Sequence, residues 1–179
     1  MAQQTIIGVV GIAVAMLLSA DAPKAAAGAA VDVCALLTSA DVEAVLDDVV
    51  KERKPTPQPG GDLLMSQCFF ATSSSRSISL MLATEKARNH GGLTPREYWR
   101  KQFHGSQAKE AKEEKERGSS PRPIAGLGDE AFWMGTRFAG ALYVLRGQAF
   151  LRISVGGIRD EQERVEKSKA LALAALKRL

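Results

Sequence analysis

The sequence predicts an α+β domain built on an antiparallel sheet of about five strands, with helices packed mainly on one face. Segments of alternating apolar and polar residues follow one another through short turn sequences, which is the pattern of β-hairpins. Strands and helices do not alternate one by one, as they would in a parallel sheet. The two cysteines of the chain add one predicted disulfide.

Three helices are indicated by the residues at which they begin. Thr38 followed by Asp41 forms a capping pair ahead of an apolar stripe. Residues 94–97 (Thr-Pro-Arg-Glu) combine an N-cap threonine, a proline at the first helical position and a glutamate at the third. Asp160 and Glu163 mark the start of a terminal helix. The charged segment 108–117 is expected to be a solvated helix, and Gly105 is a point at which it can be interrupted.

Five segments have the composition of strands and are expected to form the sheet. They comprise residues 66–71, 77–83, 130–134, 139–145 and 149–155. Arg146-Gly147-Gln148 is expected to join the last two as a tight hairpin. Residues 54–61 contain three prolines and two glycines and are predicted to be a surface loop, and residues 118–123 a linker.

The N-terminal segment indicates export. Residues 6–20 are apolar and uncharged, which suits the core of a secretory signal better than a membrane span of about 20 residues. Small residues follow, so cleavage is expected between Ala27 and Ala30. The alternative is an uncleaved membrane anchor formed by residues 6–20, because no basic residue precedes them. Residues 1–30 are thus a predicted signal peptide, and residues 31–179 a single domain.

Export determines how the two cysteines are interpreted. Cys34 and Cys68 are the only cysteines, and an even number in an oxidising compartment predicts a bridge. Cys34 lies just before the first helix and Cys68 lies in a predicted strand, so the bridge would join helix to sheet. A reactive thiol is not expected, because neither cysteine has a CxxC partner.

Three features together carry a family resemblance. They are the segment Cys34–Glu43 that opens a capped helix, Cys68 at the first strand, and residues 126–131 leading into a hairpin and a terminal helix. This combination resembles exported domains of unknown function found in bacterial lipoproteins and secreted proteins. It is also similar to the extracellular sensor domain of some mycobacterial serine/threonine kinases. The resemblance implies an α+β sandwich with a disulfide and an envelope location, and it assigns no activity or site residues.

No catalytic residue, metal or cofactor is expected. Residues 126–131 match the G-x-G-x-x-A dinucleotide pattern, but a strand follows them where a helix is needed, so a turn is predicted instead. Asp129 and Glu130 are neighbours that point to opposite sides of a strand, which does not suit an acid–base pair. His90 and His104 are too few for a zinc site.

Binding is therefore the expected activity. Tyr98 and Trp133 are candidate binding residues, because either can show a polar edge at a cleft, and Arg137 in the hairpin is the third candidate. A net charge of +4 without basic runs does not indicate nucleic acid. We expect a non-enzymatic envelope domain that binds a protein or small ligand, or acts structurally. The alternatives are an envelope hydrolase whose site forms only in three dimensions and a membrane-tethered accessory or sensor subunit.

Overall fold

Seven antiparallel strands form one sheet in the computed structural model, which describes residues 31–57, 61–86, 91–105 and 120–179. The strands are β1 (Val50–Pro57), β2 (Leu63–Thr72), β3 (Ser77–Glu85), β4 (Arg122–Pro123), β5 (Glu130–Gly135), β6 (Gly140–Arg146) and β7 (Ala149–Gly156). Their order across the sheet is β1-β2-β3-β7-β6-β5-β4. The helices are α1 (Ser39–Leu46), α2 (Pro95–His104) and α3 (Glu161–Leu176), with a 3₁₀ turn at Val33–Leu36 before α1. The α+β class and the single disulfide are confirmed.

The prediction of about five strands was too low, because both edge strands were missed. Residues 54–57 were assigned to a loop, yet they belong to β1, in which Pro55 pairs with Cys68 of β2. An edge strand tolerates proline, since only one of its sides must donate to a neighbour. Arg122 and Pro123 were assigned to a linker and form β4 against β5. Neither edge strand shows the apolar alternation that reveals a half-buried strand.

The helices lie on both faces of the sheet. The main core joins α1, α3 and the 3₁₀ turn to one face, where it includes Leu80 and Ile153. Trp99 of α2 packs in a second cluster with Ala83 and Phe150. Ala83 and Phe150 face away from the main core, because side chains alternate along a strand. The expectation that helices lie mainly on one face therefore holds for α1 and α3, whereas α2 covers the opposite face.

All the predicted helix starts are found. Thr38 and Asp41 form the reciprocal capping box of α1, and Thr94 and Glu97 form that of α2. The Asp160 side chain accepts from the backbone N–H of Glu163 at the start of α3. These bonds satisfy backbone donors that a helix start leaves free. The charged segment 108–117 and the predicted signal segment lie outside the described residues.

The disulfide joins Cys34 in the 3₁₀ turn to Cys68 in β2, with their Cα atoms 5.1 Å apart. Both cysteines are buried in the main core. The bridge therefore attaches the N-terminal turn to the sheet, as the sequence predicts. None of the helices in the described part of the chain has the length and apolar character that crossing a membrane requires.

Candidate binding site

The β5–β6 hairpin ends in a short turn, Thr136–Ala139, which we call the tip. The backbone N–H of Thr136 donates to the carbonyl oxygen of Ala139 at 2.7 Å. The Thr136 hydroxyl oxygen accepts from the backbone N–H groups of Phe138 and Ala139 at 3.2 and 3.3 Å. A threonine at this position thus closes the turn with its own side chain. Arg137 and Phe138 are left at its apex.

Phe138 is the most exposed large apolar side chain of the described residues. It is 77% exposed, whereas the other exposed ones lie between 40% and 55%. The guanidinium of Arg137 lies 4.5 Å from the centroid of its ring. This contact is a cation–π pair, and it leaves most of the ring in water. The tip therefore presents an aromatic ring and a positive charge together.

A second loop flanks the tip. Gly157, Ile158 and Arg159 follow β7 and, with Arg137 and Phe138, line an open cleft of about 560 Å³. Gly157 has a φ of +79°, and a Cβ there would lie 2.8 Å from the carbonyl oxygen of Ser75, so glycine is needed for this path. Among the described residues, neither Arg137 nor Arg159 forms an ion pair. The cleft is thus lined by two arginines that form no ion pair within the part of the chain that the structure describes.

Arg164 of α3 holds the tip and the second loop in place. Its side chain is 1% exposed, and its guanidinium donates to four carbonyl oxygens. The acceptors are Thr136 at 2.7 Å, Arg137 at 3.3 Å, Ile158 at 2.9 Å and Arg159 at 3.0 Å. A buried charge without such partners costs several kcal/mol or more. Because the four carbonyls belong to both loops, this one side chain fixes their relative position.

Trp133 fixes the part of the β5–β6 hairpin that lies directly below the tip. This residue is buried, and its indole Nε1 donates to Glu161 Oε1 of α3 at 3.1 Å. Gly135 and Gly140 leave room for the ring. A Cβ on Gly135 would lie 2.7 Å from the indole nitrogen, and a Cβ on Gly140 would overlap the ring itself. Trp133 thus supports the tip from below.

The structure separates the three residues that the sequence singles out. Arg137 lies at the tip and Trp133 lies buried beneath it. Tyr98 lies on the other face of the sheet, where its ring stacks on Phe150 with centroids 5.6 Å apart. It also lines a cleft of about 280 Å³ together with Lys101 and other residues of α2 and β2. Only Arg137 and Trp133 therefore belong to one region.

Sequence reasoning missed Phe138, Arg159 and Arg164. A signal existed for Arg164, because it shares a helical face with Ser168, Leu171 and Ala175, all of which are buried. A charged residue in line with buried positions at helical spacing indicates a buried charge with a structural role. Phe138 and Arg159 lie in short loops, where no periodicity marks them.

The adjacent carboxylates Asp129 and Glu130 are both used to hold α2. Asp129 Oδ2 accepts from Arg96 at 2.5 Å. Glu130 Oε2 accepts from Trp99 Nε1 at 2.5 Å and lies 2.9 Å from His104 Nε2. Burial raises the pKa of Glu130, but the hydrogen bonds from His104 and Trp99 outweigh it and hold that pKa below its ordinary value. These carboxylates therefore act as structural acceptors.

The glycine-rich segment before β5 is a turn, as predicted. Gly126 and Gly128 both have positive φ, and a Cβ on Gly128 would overlap the carbonyl oxygen of Leu145. The chain then enters β5 at Glu130. Within the part of the chain that the structure describes, no three His, Cys, Asp or Glu side chains converge as metal ligands.

No protein-family model, curated protein or solved structure was found to match this chain.

Proposed function

We propose that this protein is an exported, non-enzymatic binding domain and that the tip is the surface with which it contacts its partner. The observation that carries the proposal is the 77% exposure of Phe138 on a turn held by the buried Arg164. A phenylalanine gains about 1.5–3 kcal/mol when it is buried. Since Phe138 is 77% exposed, most of this free energy is available for binding.

The residue types at the tip suit a protein contact. Aromatic residues, phenylalanine among them, and arginine are enriched in the cores of protein interfaces. Phe138, Arg137 and Arg159 supply both types within one cleft. Each immobilised side chain or loop costs binding free energy, and a loop that is already ordered avoids that cost. The four hydrogen bonds of Arg164 provide this order before a partner arrives.

The proposed export of the protein to the cell envelope is supported by observations outside the tip. The Cys34–Cys68 bridge requires an oxidising environment to persist, and residues 6–20 have the apolar character of a secretory signal. The resemblance to exported and sensor domains supports the same location. If residues 6–20 are retained as an anchor, the same tip is displayed from the membrane surface, and the protein acts as a tethered accessory or sensor subunit.

Photo-crosslinking in the native host tests the proposal. The full chain is produced with p-benzoylphenylalanine in place of Phe138, and in a matched control in place of Leu173. Leu173 is also exposed, but it lies on α3, outside the cleft. Irradiation is expected to give a discrete adduct from position 138 and little or none from position 173. Equal yields from the two positions, or no adduct from position 138, would overturn the proposal.

A further inference from the structure

We infer that the partner of the tip is a protein that presents carboxylates around an apolar socket. This inference rests on the proposed function and names the chemistry that the tip recognises. The socket receives Phe138, and the carboxylates pair with Arg137 and Arg159. Three observations carry it: two exposed arginines that form no ion pair among the described residues, the shape of the surface, and the hydrogen bonds that hold its loops.

Two acidic residues, Asp160 and Glu161, directly follow Arg159 in the chain. Asp160 accepts from the backbone N–H of Glu163 at 2.7 Å as the cap of α3. Glu161 accepts from Trp133 at 3.1 Å and pairs with Arg122 at 3.4 Å. Among the described residues, neither carboxylate forms an ion pair with Arg137 or Arg159. The side chains of these two exposed arginines are therefore available to pair with carboxylates of a partner.

The two cations are both arginines. A guanidinium offers a planar fork of donors that matches two oxygens of a carboxylate or of a phosphate, and the shape of the surface decides between a protein and a lipid as their source. Arg137 and Arg159 line the same cleft, so one acidic surface can reach both. Phe138 lies beside them and favours an apolar pocket, because transfer of its apolar surface out of water is what stabilises a buried ring most. The partner must combine both properties in one place.

The shape of the surface favours a protein over a lipid bilayer. The exposed Phe138 ring projects beside an open cleft of about 560 Å³, so the surface has both a protrusion and a depression. A folded protein of complementary shape can fill the cleft, whereas a fluid bilayer has no fixed shape that matches it. The fixed position of the two loops on Arg164 also suits a partner of defined shape.

The test uses p-benzoylphenylalanine at position 138 of the full chain in its host. Adduct yield is compared between the chain with both arginines, an R137E/R159E variant and an R137K/R159K variant. R100E/R146E is the control, because Arg100 and Arg146 are exposed, lie outside the cleft and give the same change in net charge. Thermal unfolding of each purified variant verifies that it is folded.

We expect R137E/R159E to lower the adduct yield about tenfold or more, because reversed charges repel an acidic partner. R137K/R159K should retain part of the yield, and R100E/R146E should stay within about twofold. The mass of the adduct should increase by that of a protein. An adduct that carries only a lipid mass, or an R137E/R159E yield equal to that of the control, would overturn the inference while leaving the tip as a contact site. No adduct from any variant would overturn the proposed function itself.

Purified protein provides an independent measurement. We expect it not to sediment with vesicles of phosphatidylglycerol or of phosphatidylcholine. Sedimentation with phosphatidylglycerol vesicles that R137E/R159E abolishes would identify an anionic membrane as the partner and contradict the inference.

Discussion

Glu130 accepts a hydrogen bond of 2.5 Å from the indole nitrogen of Trp99, and this bond ties α2 to the first residue of β5. His104 lies 2.9 Å from the same carboxylate oxygen. One residue earlier, Asp129 binds Arg96 near the start of α2. Two neighbouring acids thus hold the two ends of one helix against the sheet.

This arrangement predicts a pH dependence of stability. The pKa of Glu130 is below its ordinary value in the folded protein. Its ionised form therefore stabilises the fold above the unfolded pKa of about 4.3, and this contribution is lost as the pH falls through the folded pKa. We expect Glu130→Gln to lower the free energy of unfolding by about 1 kcal/mol at pH ~7 and to have almost no effect at the acid end of the titration. Urea unfolding of both proteins, from pH ~7 down to the acid end of the titration, measures this difference in the free energy of unfolding.

Glu85→Gln is the matched control for that experiment. Glu85 is exposed at the end of β3, and its replacement should leave the free energy of unfolding unchanged at every pH. A loss for Glu130→Gln that is the same at all pH values would contradict the assignment, because it would show that the charge of Glu130 is not involved.

The disulfide predicts a second stability effect. Cys34 and Cys68 are 34 residues apart, and the chain-entropy model gives a bridge of this length about 3–4 kcal/mol of stabilisation. The double change Cys34→Ala, Cys68→Ala should lower the free energy of urea unfolding by that amount. In protein from the host, both thiols should resist blocking until reduction, as intact mass measures. Free thiols in that protein would contradict both the bridge and the export.

Arg164 predicts a coupled effect on stability and on the tip. Arg164→Met leaves four carbonyl oxygens without their donor and should cost about 2–4 kcal/mol. Amide hydrogen exchange in Thr136–Ala139 should become faster by more than global destabilisation explains. Lys169→Met, which removes only a surface ion pair on the same helix, should cost about 0.5 kcal/mol or less. Unchanged exchange at the tip in Arg164→Met would show that Arg164 does not order it.

Gly140 predicts a packing effect. A Cβ at this position overlaps the Trp133 ring, so Gly140→Ala should cost about 1–3 kcal/mol and shift the tryptophan fluorescence. Gly61→Ala is the control, since nothing lies within 4 Å of a Cβ at that position and its φ is not positive. It should change the free energy of unfolding by less than about 0.5 kcal/mol. Equal costs for the two changes would contradict the packing of Trp133.

Much of the fold could be predicted because its signals are local. The capping residues Thr38, Thr94 and Asp160 each lie at a real helix start, since such caps satisfy backbone donors through nearby side chains. The β1 strand could not be predicted, because Pro55 and its charged neighbours suit a loop as well as an edge. The face chosen by α2 depends on distant contacts such as Trp99 with Glu130, which no local pattern reveals.

Only part of the candidate site could be predicted from the sequence. Arg137 was identified as a hairpin residue that could meet a ligand, and it lies at the tip beside Phe138. The contribution of Arg159 depends on the return of the chain after β7 to the same cleft. Arg164 holds the two loops together by donating to the backbone carbonyl oxygens of Arg137 and Arg159. Every residue has such a carbonyl, so the amino-acid sequence does not show which ones Arg164 will bind. Loop residues brought together by a buried donor therefore need the three-dimensional structure.

Phe138→Ala tests the central claim most directly, because it separates binding from stability. The free energy of unfolding is measured on the purified protein, and the size of the complex is measured by gel filtration of host extract with a tag on the chain. Because the side chain is 77% exposed, we predict a change in stability of less than about 0.5 kcal/mol and loss of the larger species. A clear loss of stability, or a complex of unchanged size, would contradict the claim that Phe138 is kept exposed for a partner.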